Sequence, residues 1–150
     1  MVWSVISGQG MGRLYVVNGT MRQDQYKKVL ETRLLPQIQE WFGNDRKVFM
    51  QDGAPCHTAK SIKKFLEDQE IPVLSWPGNS PDMNPIENVW ECLKRELGKE
   101  NITNKTQLIE RIIFHWNHNE NLKQVALNCI DSMPRRVAAL VAARGGLTKY

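Results

Sequence analysis

Apolar positions change their spacing along the chain, and each change marks an element. Val2 to Ser7 and Arg13 to Asn18 are short runs rich in Val, Ile and Tyr, separated by Gly8-Gln9-Gly10-Met11-Gly12. They predict two antiparallel strands joined by a glycine-rich hairpin. From Gln23 to Phe42 the apolar residues Tyr26, Val29, Leu30, Leu34, Ile38, Trp41 and Phe42 recur at helical spacing, with Pro36 placed to bend or divide the helix. Lys47 to Asp52 is an apolar run ending in an acid, the pattern of a strand buried on both faces. His57 to Gln69 predicts a helix with Ala59, Ile62, Phe65 and Leu66 inward and Lys60, Lys63 and Lys64 off that stripe. Ile71 to Trp76 is the next strand, and Pro77 to Pro85, with three prolines, is a rigid polar loop. Helices follow at Pro85 to Leu97, Thr106 to Trp116, Leu122 to Ile130 and Pro134 to Arg144, the last closed by Gly145-Gly146. Strands alternating with helices and then giving way to them predict an α/β fold, one mixed sheet flanked by helices, with a helical C-terminal part and one domain.

Composition narrows the function classes. The chain has 150 residues, 41% hydrophobic and 24% charged, which is globular and excludes disorder, collagen and a disulfide scaffold. No run of 18 apolar residues occurs and the start lacks a signal peptide's basic and apolar regions, so the expectation is a soluble chain with no membrane partner. Cys56, Cys92 and Cys129 lack zinc-site spacing and read as reduced thiols of an intracellular protein. The net charge is +4, and its placement matters more than its size. Ser132 to Tyr150 carries Arg135, Arg136, Arg144 and Lys149 with no acid, so the whole excess sits at one end. A basic end suits a phosphate backbone, and equally suits a solvated helix.

Two carboxylates stand where chemistry is placed. Asp52 ends a strand and runs into Gly53-Ala54-Pro55, at the carboxyl edge of the sheet where α/β folds bind ligands; such an acid can also open a turn by bonding its own backbone. Glu87 is the third helical residue after Asn84-Pro85-Ile86. It closes a capping box with Asn84, or it faces outward at fixed height while Ile86, Val89, Trp90, Leu93 and Leu97 hold the other stripe to the sheet. Acids so placed can converge on hard cations, Mg²⁺ or Mn²⁺ before others. His57, five residues after Asp52, can serve the same site as a proton relay or phosphate contact, or simply pack at a helix start. Trp76 and Trp90 read as core anchors.

Together these segments resemble the Tc/mariner transposases, Tc-like branch, whose catalytic domain is RNase H-like with an Asp, Asp, Glu triad. Met1-Val2-Trp3-Ser4-Val5-Ile6-Ser7 with Gly10-Met11-Gly12-Arg13-Leu14 is similar to that domain's second and third strands. Gln51-Asp52-Gly53-Ala54-Pro55-Cys56-His57-Thr58-Ala59 is similar to the segment of the second aspartate. Trp76-Pro77 and Ser80 to Trp90 are similar to the segment of the glutamate, and Ser132 to Arg136 with Gly145 to Tyr150 to the family's carboxyl terminus. Between Asp52 and Glu87 lie 34 residues, the interval typical of the Tc-like branch. The resemblance implies that Asp52 and Glu87 are catalytic metal ligands for two Mg²⁺ or Mn²⁺ ions, in cut-and-paste cleavage and strand transfer at transposon ends and target DNA. Lys60, Lys63, Lys64, Arg135 and Arg136 are then candidate phosphate contacts, and a DNA substrate implies the nucleus.

The same resemblance implies something lacking. The family's first aspartate lies on a strand upstream of the segment that begins here at Met1, as do its helix-turn-helix modules. The triad is then incomplete, and Asp24 and Asp45 lie in the wrong element to substitute. The expectation is a catalytic domain without its first strand, less stable than an intact one, associating with copies of itself through unpaired strand edges and inactive alone. The alternative function is a catalytically dead relic or an adopted DNA-binding module.

Overall fold

The computed structural model describes residues 1–75 and 83–146. Trp76, the loop residues 77–82 and the tail residues 147–150 lie outside that description, and so do the readings that fall on them. The chain forms two compact units, one of Met1–Ser4 with Arg13–Ser80 and one of Val5–Gly12 with Pro81–Tyr150.

The opening hairpin forms in four short pieces: β1 (Val2–Trp3), β2 (Ile6–Ser7), β3 (Gly10–Met11) and β4 (Tyr15–Val16). β1 pairs antiparallel with β4, Val2 opposite Val16, and β2 with β3, Ile6 opposite Met11. Gly10 closes the turn at φ +120, a backbone state that a side chain would oppose. Between the pieces the ladder gives way to the Ser4 hydroxyl donating to the Arg13 carbonyl at 3.2 Å.

In the first unit the helical periodicity after residue 22 produces α1 (Gln23–Val29) and α2 (Leu35–Phe42), divided by one π-helical turn over Leu30–Leu34. Pro36 accounts for the division. It has no N–H to give, and Leu35 just before it donates to Leu30, five residues back instead of four. Tyr26, Val29, Leu30 and Leu34 are buried as the pattern requires. Gln37 is also buried, 4% exposed, because its Oε1 accepts the Arg13 backbone N–H at 3.0 Å.

The expected helix over 57–69 is divided as well. α3 (Pro55–Thr58) ends at Ala59, whose ψ of 141 is extended, and α4 (Lys60–Asp68) starts afresh with Ile62, Phe65 and Leu66 buried. Among the described residues of the two expected strands, Lys47–Asp52 and Ile71–Trp76, the pairing is one parallel bridge, Phe49 with Val73. Phe49 donates to the Pro72 carbonyl and accepts from Leu74, both at 2.8 Å. The reading of 47–52 as buried on both faces is corrected. Val48 is 53% exposed, and both backbone groups of Phe49 are spent on one neighbour.

The second unit is helical apart from β2 and β3. α5 (Pro85–Leu97) keeps the expected bounds, followed by α6 (Lys105–His118) and α7 (Glu120–Ala142). Asn104 and Asn119 cap the latter two, their side chains accepting from Gln107 and Leu122. α7 replaces two expected helices, carrying Pro134 inside it. α5 packs on α7 and α6, so its apolar stripe meets helices where a sheet was expected, while α7 also lies against β2 and β3. Trp116 stacks on Trp90 at 4.7 Å and donates its indole N–H to the buried Gly12 carbonyl at 2.8 Å, tying α6 to the hairpin. Glu100 gathers the far end. Its carboxylate takes two bonds from Arg111, both 2.6 Å, and one from His115 at 2.8 Å. These donors hold its acidity well below the carboxylate range, at about 2, the Arg111 bonds contributing most and the His115 bond next.

Candidate functional site

Asp52 lies just past the bridge at Phe49, where the chain turns through Gly53 and Ala54 into α3. Its Oδ1 accepts the Ala54 backbone N–H at 3.0 Å, so the turn-opening role read from the sequence is real. It does not consume the carboxylate. Oδ1 also meets His57 Nδ1 at 2.5 Å, and among the described residues nothing bonds Oδ2. The Asp52 side chain is half exposed while that of His57 is 15% exposed, so the acid faces solvent and the ring backs it.

His57 is held by what surrounds it. The Tyr26 ring lies 4.2 Å from the imidazole, tilted by 34°. The Tyr26 hydroxyl donates to Gln51 Oε1 at 2.6 Å, and Gln51 Nε2 donates to the His57 carbonyl at 3.3 Å. Burial pushes the Tyr26 phenol far up in pKa, with Cys56 and Asp52 adding to it, so Tyr26 stays a hydrogen donor at any neutral pH. Neither Tyr26 nor Gln51 stands out as a site residue in the sequence. Tyr26 counts there as one apolar position of a helix, and the only signal for Gln51 is its place beside Asp52.

A cavity of about 650 Å³ opens at this point, lined by Asp52, His57, Lys63, Glu67, Ile71 and Val73 among others. The structure thus brings together Asp52, His57 and one of the three candidate lysines. Lys60 and Lys64 are exposed on the same helix, Lys64 paired with Asp68 at 3.0 Å.

Glu87 belongs to the second unit, in the first turn of α5, and is exposed. The capping box read from Asn84 does not form: the Asn84 side chain makes no capping bond, and the Glu87 N–H bonds the Asn84 carbonyl at 3.1 Å. With Val89, Cys92 and Leu93 buried on the other stripe, the carboxylate is left outward, the second of the two readings. Arg135 is exposed on α7. Arg136, expected at a phosphate, is a correction: it is 5% exposed, and its Nε donates to Ser132 Oγ at 2.8 Å, one helical turn back. The Ser132 hydroxyl in turn donates to the Cys129 carbonyl at 2.7 Å, so this guanidinium belongs to the interior.

Carboxylate oxygens are the donors that Mg²⁺ and Mn²⁺ select, and Asp52 Oδ2 and the exposed Glu87 carboxylate both offer them. Among the described residues no three His, Cys, Asp or Glu side chains gather as a metal centre. Among the same residues no helix is long and apolar enough to cross a membrane.

Comparison with known proteins agrees with the resemblance read from the motifs. Residues 1–109 match the family described as DDE superfamily endonuclease. The Tc1 transposase of Caenorhabditis elegans is 35% identical over all of this chain, which spans 54% of that protein; the chain thus covers about half the length of the curated relatives it matches. The solved catalytic domain of Mos1 mariner transposase superposes with a TM-score of 0.86 over 99% of this chain and 75% of its own, at 18% identity. The Mos1 mariner paired end complex with Mn gives 0.87 over 99% of this chain and 44% of its own, at 19% identity. The α/β fold, a small sheet with mostly helices, is therefore RNase H-like.

Proposed function

This chain belongs to the DDE superfamily endonucleases as a Tc/mariner transposase domain, and on that premise we propose that it serves metal-dependent cleavage and joining of DNA in cut-and-paste transposition. The observation that carries the reading is the state of Asp52: one carboxylate oxygen is anchored by Ala54 and His57, and the other is left beside a cavity of about 650 Å³. That is how a ligand is prepared for a hard cation. Asp52 and Glu87 are the carboxylates assigned to Mg²⁺ or Mn²⁺. When bound, such ions supply Lewis acidity toward a phosphodiester and a nucleophilic oxygen at neutral pH.

The chain's own residues do the rest. Asp52 presents its free oxygen without having to reorient, because its other oxygen is already held. Lys63 lines the same cavity and offers charge to a phosphate, with Lys60 and Lys64 extending the positive face of α4 and Arg135 adding to that of α7. The proposed partners are transposon-end and target DNA, with a second copy of the chain, and the proposed compartment is the nucleus, where that substrate lies.

The experiment is titration of Mn²⁺ followed by electron paramagnetic resonance, paired with nicking of duplex DNA. Weaker Mn²⁺ binding in Asp52→Asn and Glu87→Gln supports the assignment, and unchanged binding in both refutes it. A second reading is a DNA-binding module without the reaction. DNA affinity and metal binding both indifferent to those two substitutions would establish it.

A further inference from the structure

His57 Nδ1 and Asp52 Oδ1 meet at 2.5 Å. An ionised carboxylate accepts hydrogen bonds and donates none, so the hydrogen in the Nδ1–Oδ1 contact belongs to the ring. A neutral His57 is thereby fixed as its Nδ1–H tautomer. The ring has little freedom to leave. Its residue sits in α3 with its N–H on the Ala54 carbonyl at 2.8 Å, one face lies against the buried Tyr26, and its own carbonyl is held through Gln51 by the Tyr26 hydroxyl. The Ala54 N–H and the His57 ring, two donors from one short turn, converge on the same carboxylate oxygen.

We propose that His57 is a positioning residue for Asp52: its Nδ1–H, braced by Tyr26 and Gln51, immobilises Oδ1 and so presents Oδ2 to a divalent cation. The inference rests on the reading of Asp52 as a metal ligand and adds to it how that ligand is aimed. It also replaces the roles the sequence suggested for His57. A ring whose Nδ1 is committed to Asp52 is not packing filler, and it acts through the acid that it holds. Partners that orient a metal ligand from behind commonly change metal affinity by about 10–100-fold when removed.

The geometry makes a substitution test that separates donor position from bulk. An Asn amide nitrogen stands two bonds beyond Cβ, as Nδ1 does, whereas a Gln amide nitrogen reaches toward the place of Nε2. His57→Asn should therefore keep Mn²⁺ affinity near wild type, while His57→Gln and His57→Ala should lose about tenfold or more. Thermal melting without metal, run on all three, reports whether any has lost its fold. A second readout needs neither metal nor turnover. Long-range ¹H–¹⁵N spectra of the metal-free 150-residue chain, at a pH where imidazole is neutral, should show His57 as the Nδ1–H tautomer; with three histidines in the chain, His57→Asn assigns the signal. An Nε2–H tautomer overturns the proposal, and so does equal Mn²⁺ affinity in wild type, Asn, Gln and Ala. Asp52→Asn tests the underlying reading separately. If it leaves Mn²⁺ binding unchanged, the ligand assignment fails, and the tautomer still decides whether His57 holds Asp52.

Discussion

Tyr26→Phe removes one oxygen from the centre of the first unit and nothing else. The ring is fully buried, so its apolar contribution survives, as does its contact with the imidazole of His57. What goes is the 2.6 Å bond to Gln51 Oε1, and with it the side-chain hydrogen bond between the hydroxyl and Trp3. A bond of this kind contributes about 0.5–1.5 kcal/mol net, and an acceptor deprived of its donor adds to the loss when water cannot reach it. Gln51 is partly exposed, so water relieves some of the orphaning, and the expected cost is about 1–2 kcal/mol. Tyr26→Ala, which also empties the site of the ring, should cost about 3–5 kcal/mol. Urea unfolding followed by tryptophan fluorescence measures both. A double-mutant cycle with Gln51→Ala isolates the bond, because Tyr26→Phe should cost much less once its acceptor is gone. The alkaline side gives an independent check. The phenol's pKa is raised in the fold and near 10.0 in the unfolded chain, so above about pH 10 the unfolded state alone releases the proton and stability falls with rising pH. Tyr26→Phe should lack that fall. A Phe variant as stable as wild type at neutral pH, with the same alkaline profile, would refute the reasoning.

Glu100→Gln should flatten the acid limb of the stability profile: the wild-type carboxylate titrates at about 2 in the fold against 4.5 unfolded, so its contribution is present above pH 4.5 and lost as pH falls toward 2, readable as the urea midpoint against pH. Trp116→Phe should cost about 0.5–1.5 kcal/mol for the lost indole bond to the Gly12 carbonyl; an unchanged melting temperature would deny that bond a role. Replacing Lys60, Lys63 and Lys64 by Ala should lessen the salt dependence of DNA binding, by about one unit of log–log slope for each phosphate that is no longer neutralised. Arg136→Ala should leave that slope alone and lower the melting temperature instead, since its guanidinium is interior.

The elements that the sequence discloses are those whose signals are local. α5 begins at Asn84-Pro85 and ends before Gly98, and its stripe and punctuation coincide, so its bounds are legible to the residue. The hairpin is legible as such, but its turn is narrower than the run read for it: β3 (Gly10–Met11) lies within 8–12. Lys47–Asp52 misleads because a run of apolar residues records a propensity for burial, and what covers a strand is supplied from elsewhere in the chain. Arg136 misleads for a related reason. A charge tally assigns it to solvent, but a serine one turn earlier gives its Nε a partner indoors, and Ser132 carries no visible sign of that duty. Spacing and motif place Glu87 in the first turn of its helix as the structure has it, whereas Asp52, read as the end of a strand, stands in the turn past a single bridge. The support around Asp52 is half legible: His57 lies five residues on, whereas Tyr26 reaches the site from a helix well upstream, beyond any periodicity.

The π-helical turn at Leu30–Leu34 works as a phase shifter. An α-helix advances about 100° per residue, so a turn that carries one residue more than its α equivalent resets the direction in which every later side chain points. α2 inherits that offset. Gln37 meets the Arg13 backbone, and Glu40 the Arg13 guanidinium at 3.0 Å, only in the rotated setting. Closing the turn as α-helix at unchanged length would swing both side chains away by about 100° and unfasten α2 from the hairpin, whereas deleting Thr32 would remove the surplus residue and leave their direction as it is. The turn absorbs one surplus residue and so keeps two distant stretches of chain, α2 and Arg13, in register.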